Sequence, residues 1–137
     1  MSDLDRHQLA MTSPPDDVDA VHEMIARVWD KSPDVPLADR IRFETALIEL
    51  ISNVVLHADS GTGVTCVLTV DVLPTSVEAR VTDTGEGGDI ELTRVMMPGD
   101  DAESGRGLAL INSLVDEVQY ERINGQNHWR ISRALGS

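Results

Sequence analysis

Between about Leu37 and Ala58, the apolar residues Ile41, Phe43, Ala46, Leu47, Ile48, Leu50, Ile51, Val54 and Val55 cover most of a helix circumference. A helix that is apolar nearly all round is buried on several sides. The segment therefore predicts a long helix that the rest of the fold must enclose. One stripe stays polar: Arg42, Thr45, Glu49, Ser52 and Asn53 share a face by the i, i+3, i+4, i+7 rule. That stripe faces either solvent or a cleft.

The flanking segments supply the enclosing layers. Residues 7–12 give a weak strand signal. Ser13-Pro14-Pro15-Asp16 reads as a helix start, with Ser13 able to cap and Pro14 suited to the first helical position. Val18, Val21, Ile25 and Val28 follow at helical spacing, and Ser32-Pro33 and Val35-Pro36 end that helix. After Asp59–Gly63, Val64, Cys66, Leu68, Val70 and Val72 alternate with polar residues as in a half-buried strand. Val77, Ala79 and Val81 do the same in the next strand, and Asp83 continues their inward row. A glycine-containing loop runs to Ser104. Gly105-Arg106-Gly107 then opens a helix with Leu108, Ile111, Val115 and Val118 on one face. Two strand-like runs, 117–123 and 126–133, are joined by Asn124-Gly125, the strongest short hairpin signal. The expected fold is α+β, a two-layer sandwich with helices on one face of a mainly antiparallel sheet, built as one domain over residues 1–137.

Composition narrows the function. Lys and Arg number 11 against 24 Asp and Glu, a net charge of −13. A surface that acidic is repelled by nucleic-acid backbone and by anionic membrane. Two Trp, one Tyr and one Phe are too few for stacking along single-stranded nucleic acid. One Cys excludes an internal disulfide framework and a multi-Cys zinc site. No apolar run approaches the ~20 residues of a membrane helix. The first 30 residues carry Asp3, Asp5, Asp16 and Asp17 and no secretory signal pattern, which predicts a cytoplasmic protein with no direct nucleic-acid or membrane partner.

Three blocks carry potential chemistry. Asp83-Thr84-Gly85-Glu86-Gly87 is either a tight turn with a capping Asp or a carboxylate at a strand end that accepts from an exocyclic amine such as adenine's. Gly105-Arg106-Gly107-Leu108 is either a flexible helix entry or a set of open backbone N–H groups that bind phosphate, with Arg106 adding positive charge. Glu49 and Asn53, four apart on the long helix, are either a solvated stripe or a general base beside a Mg²⁺ ligand. His57 reads as a helix-terminal residue, Cys66 as a buried small hydrophobe, and Met96-Met97 as contacts of the intervening loop. The four His show no metal-ligand spacing.

The order of the blocks is more specific than any one of them. Glu49-x-x-x-Asn53 on a helix, then Asp83-x-Gly85-x-Gly87 after a strand, then Gly105-x-Gly107-Leu108 opening a helix resembles the Bergerat ATP-binding fold of histidine kinases, gyrase-type topoisomerases and related ATPases. Within that superfamily the small size, IELISNVVLHA and ESGRGLALINSLVDEVQY resemble the anti-sigma-factor serine kinases of the RsbW type. The resemblance implies Mg-ATP as cosubstrate, sequestration of a sigma factor, phosphorylation of a serine on an anti-sigma antagonist, and a homodimer. It also implies roles: Glu49 as general base, Asn53 as Mg²⁺ ligand, Asp83 as adenine contact, Gly85 and Gly87 shaping the base pocket. Gly105, Arg106, Gly107 and Leu108 would line the phosphates, and residues 88–104 would form the ATP lid.

Glu86, Gly88 and Val54 depart from the family's usual residues at those positions. Glu86 and Gly88 keep open a second reading on the same fold, a regulator that binds partners without catalysis. A detached histidine-kinase catalytic domain is the third reading. It needs a His-bearing helix pair upstream, and only about 35 residues precede the long helix.

Overall fold

The computed structural model describes residues 5–13, 18–58, 64–83 and 109–136. Strand β1 (Asp5–Ser13) leads to α1 (Val18–Lys31) and α2 (Leu37–Ala58). Strands β2 (Val64–Val72) and β3 (Ser76–Asp83) follow, then a helical turn and a half at 109–114, then β4 (Glu117–Ile123) and β5 (Gln126–Ala134). The five strands form one sheet in the order β1-β2-β3-β5-β4, every pair antiparallel. The expected two-layer α+β architecture is the one observed.

Period-2 alternation sorts the sheet's residues. Leu9 and Met11, Cys66, Leu68 and Val70, Val77, Ala79 and Val81, and Trp129 and Ile131 form the inner face. Against it pack Val21, Met24, Ile25 and Val28 of α1, and Phe43, Ala46, Leu47, Leu50, Ile51 and Val54 of α2. Trp29 meets Phe43 edge-on at 6.3 Å, joining the two helices.

The outer face is polar, which is why one helical layer suffices. Asp71 and Glu78 stand directly opposite each other on β2 and β3, an unfavourable like-charge pair by itself. Arg6 answers Asp71 through two hydrogen bonds of 2.7 and 3.1 Å. Arg80 and Arg130 both donate to Glu78, at 2.8 and 2.7 Å. Burial pushes the Glu78 carboxyl up, but those two arginines outweigh it and hold it below its ordinary range.

Strand β1 is longer than residues 7–12 alone suggest. Its first residues are polar, so hydropathy barely marks them. Their place comes from nine backbone register positions against β2 and from the Arg6–Asp71 pair. The Asn124-Gly125 turn is as expected: φ is 52° at Asn124 and 81° at Gly125, the left-handed pair a two-residue hairpin needs.

Two expectations need correction. Ile41 is not enclosed: it is 57% exposed, and Ile48 is only partly buried. The sheet covers one side of α2 and α1 a second, and among the described residues nothing covers the third. Val115 and Val118 do not continue the helix that carries Ile111: Val115 follows its last residue, and Val118 lies in β4. Arg133 Nη1 donates to the Leu114 carbonyl at 2.7 Å, and the Asp116 amide donates to Ser132 O at 2.8 Å. These bonds end the helix and turn the chain into the sheet.

Candidate functional site

Asp83 is the last residue of β3 and is fully buried. Its backbone neighbours across the sheet are Cys66 on β2 and Asn127 on β5. Asn127, also fully buried, donates from Nδ2 to Asp83 Oδ1 at 2.9 Å. The Asn127 Oδ1 accepts from Tyr120 Oη at 2.6 Å and from Arg122 Nη1 at 2.8 Å. Two donors at Oδ1 fix the orientation of the amide, because its NH₂ must then point at the carboxylate. Tyr120 is itself packed on Trp129, ring centroids 4.3 Å apart. Asp83 is thus a charge held at a strand end by a chain of side chains that reaches across β5 to β4. Burial, with the Asp83 charge adding to it, pushes the neighbouring Cys66 thiol up to about 12. That thiol stays protonated at neutral pH, as expected of a packing residue.

Glu49 and Asn53 lie one turn apart on α2, both half-buried. A second device relates them to Asp83. Near the start of α2, Asp39 Oδ1 accepts from Arg133 Nε at 2.8 Å and Oδ2 from the Gly136 amide at 2.9 Å. Arg133 is the β5 residue opposite Val77, near the beginning of β3. Helix α2 and strand β3 therefore set out from one corner and are packed against each other. Fourteen residues of helix from Asp39 to Asn53 cover about 21 Å. Six residues of strand from Val77 to Asp83 cover about 20 Å. From that corner Glu49 and Asn53 lie about 15 and 21 Å along the helix, and Asp83 about 20 Å along the strand. Gly85, Gly87, Gly105, Arg106, Gly107, Leu108 and the expected lid 88–104 lie outside the described residues.

The donor set fits a purine nucleotide with a hard cation. A buried carboxylate suits an exocyclic amine, and a single carboxamide oxygen suits Mg²⁺, which keeps waters and takes phosphate oxygens. Among the described residues no group of three or more His, Cys, Asp or Glu converges to hold a metal unaided. No helix among them is long and apolar enough to cross a membrane.

Sequence reasoning did not single out Asn127, Tyr120, Arg122, Asp39 or Arg133. The signal existed for three of them: Asn127 and Arg133 occupy the inward row of Trp129 and Ile131, and Asp39 opens an apolar helix. A polar residue in such a row is held there by partners.

Residues 11–133 match the family described as the histidine kinase-like ATPase domain. The chain belongs to that family, and its sheet and helices follow the corresponding ATPase fold. Among solved structures it is similar to the nucleotide-free catalytic domain of the histidine kinase ThkA, with 12% identity, a TM-score of 0.56, and coverage of 93% of this chain and 97% of that one. It is also similar to the histidine kinase domain of the blue-light-activated kinase EL346 from Erythrobacter litoralis, with 16% identity, a TM-score of 0.56, and coverage of 85% of this chain and 60% of that one. No curated protein matches the chain in sequence.

Proposed function

We propose that the chain is an ATP-dependent protein serine kinase that also holds a sigma factor inactive, acting as a cytoplasmic homodimer. The observation that carries the ATP site is Asp83: a fully buried carboxylate at a strand end, aimed by Asn127, in a chain of the histidine kinase-like ATPase family. Its role is to accept from the adenine amine. The serine acceptor and the sigma factor rest on the likeness of IELISNVVLHA and ESGRGLALINSLVDEVQY to the RsbW-type kinases. The likeness to histidine kinases at 12 and 16% identity is one of fold and does not choose the acceptor.

Phosphoryl transfer needs positioning and charge neutralisation more than covalent help from the protein. Glu49 accepts the proton of the acceptor's serine hydroxyl as its oxygen bonds to the γ-phosphorus, and ADP leaves with the bridging oxygen's electrons. Asn53 would supply a protein oxygen to Mg²⁺, and the bound ion would neutralise phosphate charge. The resemblance assigns the phosphates to Gly105, Arg106, Gly107 and Leu108, at a helix start where open N–H groups suit an anion.

Calorimetric titration of ATP with and without Mg²⁺, into the native chain, Asp83→Asn and Asn53→Ala, tests the site. The expected result is binding that needs Asp83 and gains from Mg²⁺ only when Asn53 is present. A native chain that binds no ATP would sink the kinase and leave a partner-binding regulator on the same fold, the reading that Glu86 and Gly88 keep open. Radiolabelled transfer to the cognate antagonist then tests Glu49, which Glu49→Gln should abolish.

A further inference from the structure

Leu37 and Ile41 are the most exposed large apolar side chains among the described residues, at 68% and 57%. They lie one turn apart on α2, and Thr45 and Ile48 extend the same face. The stripe follows a groove of about 310 Å³ lined by His22 of α1 and by Ile41, Glu44, Thr45, Ile48 and Glu49 of α2. From Ile41 to Glu49 the groove runs about 12 Å, the reach of three or four extended residues. Glu44 is fixed on its floor: Trp29 Nε1 donates to Oε1 at 3.1 Å, and His22 Nδ1 lies 3.2 Å from Oε2. Among the described residues the lining holds two carboxylates, two isoleucines and no Lys or Arg.

We propose that this groove is where the phospho-acceptor protein docks. An apolar side chain of the acceptor lies between Ile41 and Ile48, a Lys or Arg meets Glu44, and the acceptor's serine reaches Glu49. The inference rests on the kinase reading above and adds to it how the protein substrate is recognised. Three observations carry it. The groove is continuous with Glu49. Its charge is of one sign, so it selects a basic partner. Its apolar stripe is open on a helix where Phe43, Leu47, Leu50, Ile51 and Val54 are all buried. A second copy of the chain fits poorly, because a two-fold contact on this patch sets Glu44 and Glu49 near their own mates.

The test uses the full-length ¹⁵N-labelled chain without nucleotide and a synthetic twelve-residue peptide of Leu and Lys with one central Ser. Amide shifts should concentrate at His22 and residues 41–49. Affinity should fall at least tenfold in Ile41→Asp and in Glu44→Lys, and a peptide with Glu in place of Lys should not bind. Ile41→Asp should keep the native ATP affinity, because Ile41 is exposed and the change is local. Shifts centred elsewhere, or equal binding of both peptides, would overturn the proposal. So would loss of self-association in Ile41→Asp with peptide binding unchanged, which would give the surface to a second copy. Because the peptide map needs no ATP, its failure leaves the ATP titration standing, and the reverse also holds.

Discussion

The Arg133–Asp39 pair sets the relation between α2 and the sheet, and its removal has a calculable cost. Side-chain exposures of 10% and 4% place both partners inside. Replacing Arg133 with Met keeps the apolar stem but strands the Asp39 carboxylate and frees the Leu114 carbonyl. Breaking a buried pair from one side costs about 3–5 kcal/mol. Asp39 retains the Gly136 amide, so the low end, about 3 kcal/mol, applies. At roughly 3–5 °C per kcal/mol for a chain of this length, the midpoint should fall by about 10–15 °C. Removing both charges in Arg133→Met with Asp39→Leu should recover part of that loss, because no uncompensated charge remains. The pH profile supplies a second readout. The Gly136 amide, and after it the Arg133 guanidinium, hold the Asp39 carboxyl below its ordinary range against burial. A depressed carboxyl contributes stability that is present above the unfolded value, about 3.9, and is lost as pH falls through the folded one. Without Arg133 burial acts less opposed, so the acid-side loss should begin at higher pH. Urea titrations at pH 4 to 7 would measure both effects. A cost below about 1 kcal/mol, or single-mutant costs that simply add in the double mutant, would refute the assignment.

Asn127→Ala should weaken ATP binding and cost about 2 kcal/mol of stability, since it removes a hydrogen bond to a buried carboxylate; calorimetry and urea titration check the two effects, and unchanged ATP affinity would remove Asn127 from the site. Tyr120→Phe should weaken ATP binding less than Asn127→Ala, because Arg122 still holds the Asn127 oxygen. The Cys66 thiol, pushed up to about 12, should resist a disulfide reagent in the native chain at pH 8 and react fully in urea. Its contribution to stability is complete below about 8.5, the unfolded thiol's ordinary value, and is lost as pH rises toward the folded value; rapid stoichiometric labelling of the folded chain would contradict this. Gly125→Ala should cost about 1–2 kcal/mol by thermal melting, because a Cβ there meets open space and the whole penalty is the left-handed backbone at φ 81°.

What could be read from the sequence follows from the range of each interaction. The Asn124-Gly125 turn was legible because its signal is local: both residues tolerate the backbone angles that a tight hairpin imposes. The inward placement of Asp83 was legible because alternation carries from Val77 through Val81 without interruption. Strand β1 was faint because the backbone of Asp5, Arg6 and His7 pairs with residues more than sixty positions away, and the Arg6 side chain with Asp71. The overrun of the 109–114 helix into Val118 has the same origin, since the residues that end it, Ser132 and Arg133, lie across the sheet.

Ile41 is the more informative case. Periodicity counts it with Phe43 and Leu47, and nothing in its own neighbourhood says which apolar faces of a helix will find cover. That is decided by the number of layers the fold supplies, and here α1 and the sheet supply two. An apolar face left over in this way carries a solvation cost that the folded monomer does not relieve. A helix can be read as apolar from its sequence, but the purpose of its uncovered face becomes arguable only once the groove, Glu44 and Glu49 are seen beside it. The same reasoning ties the site to the rest of the fold. The Asp39–Arg133 clamp fixes the corner from which both α2 and β3 set out, so Glu49 at the end of the groove and the buried Asp83 are positioned from one shared anchor.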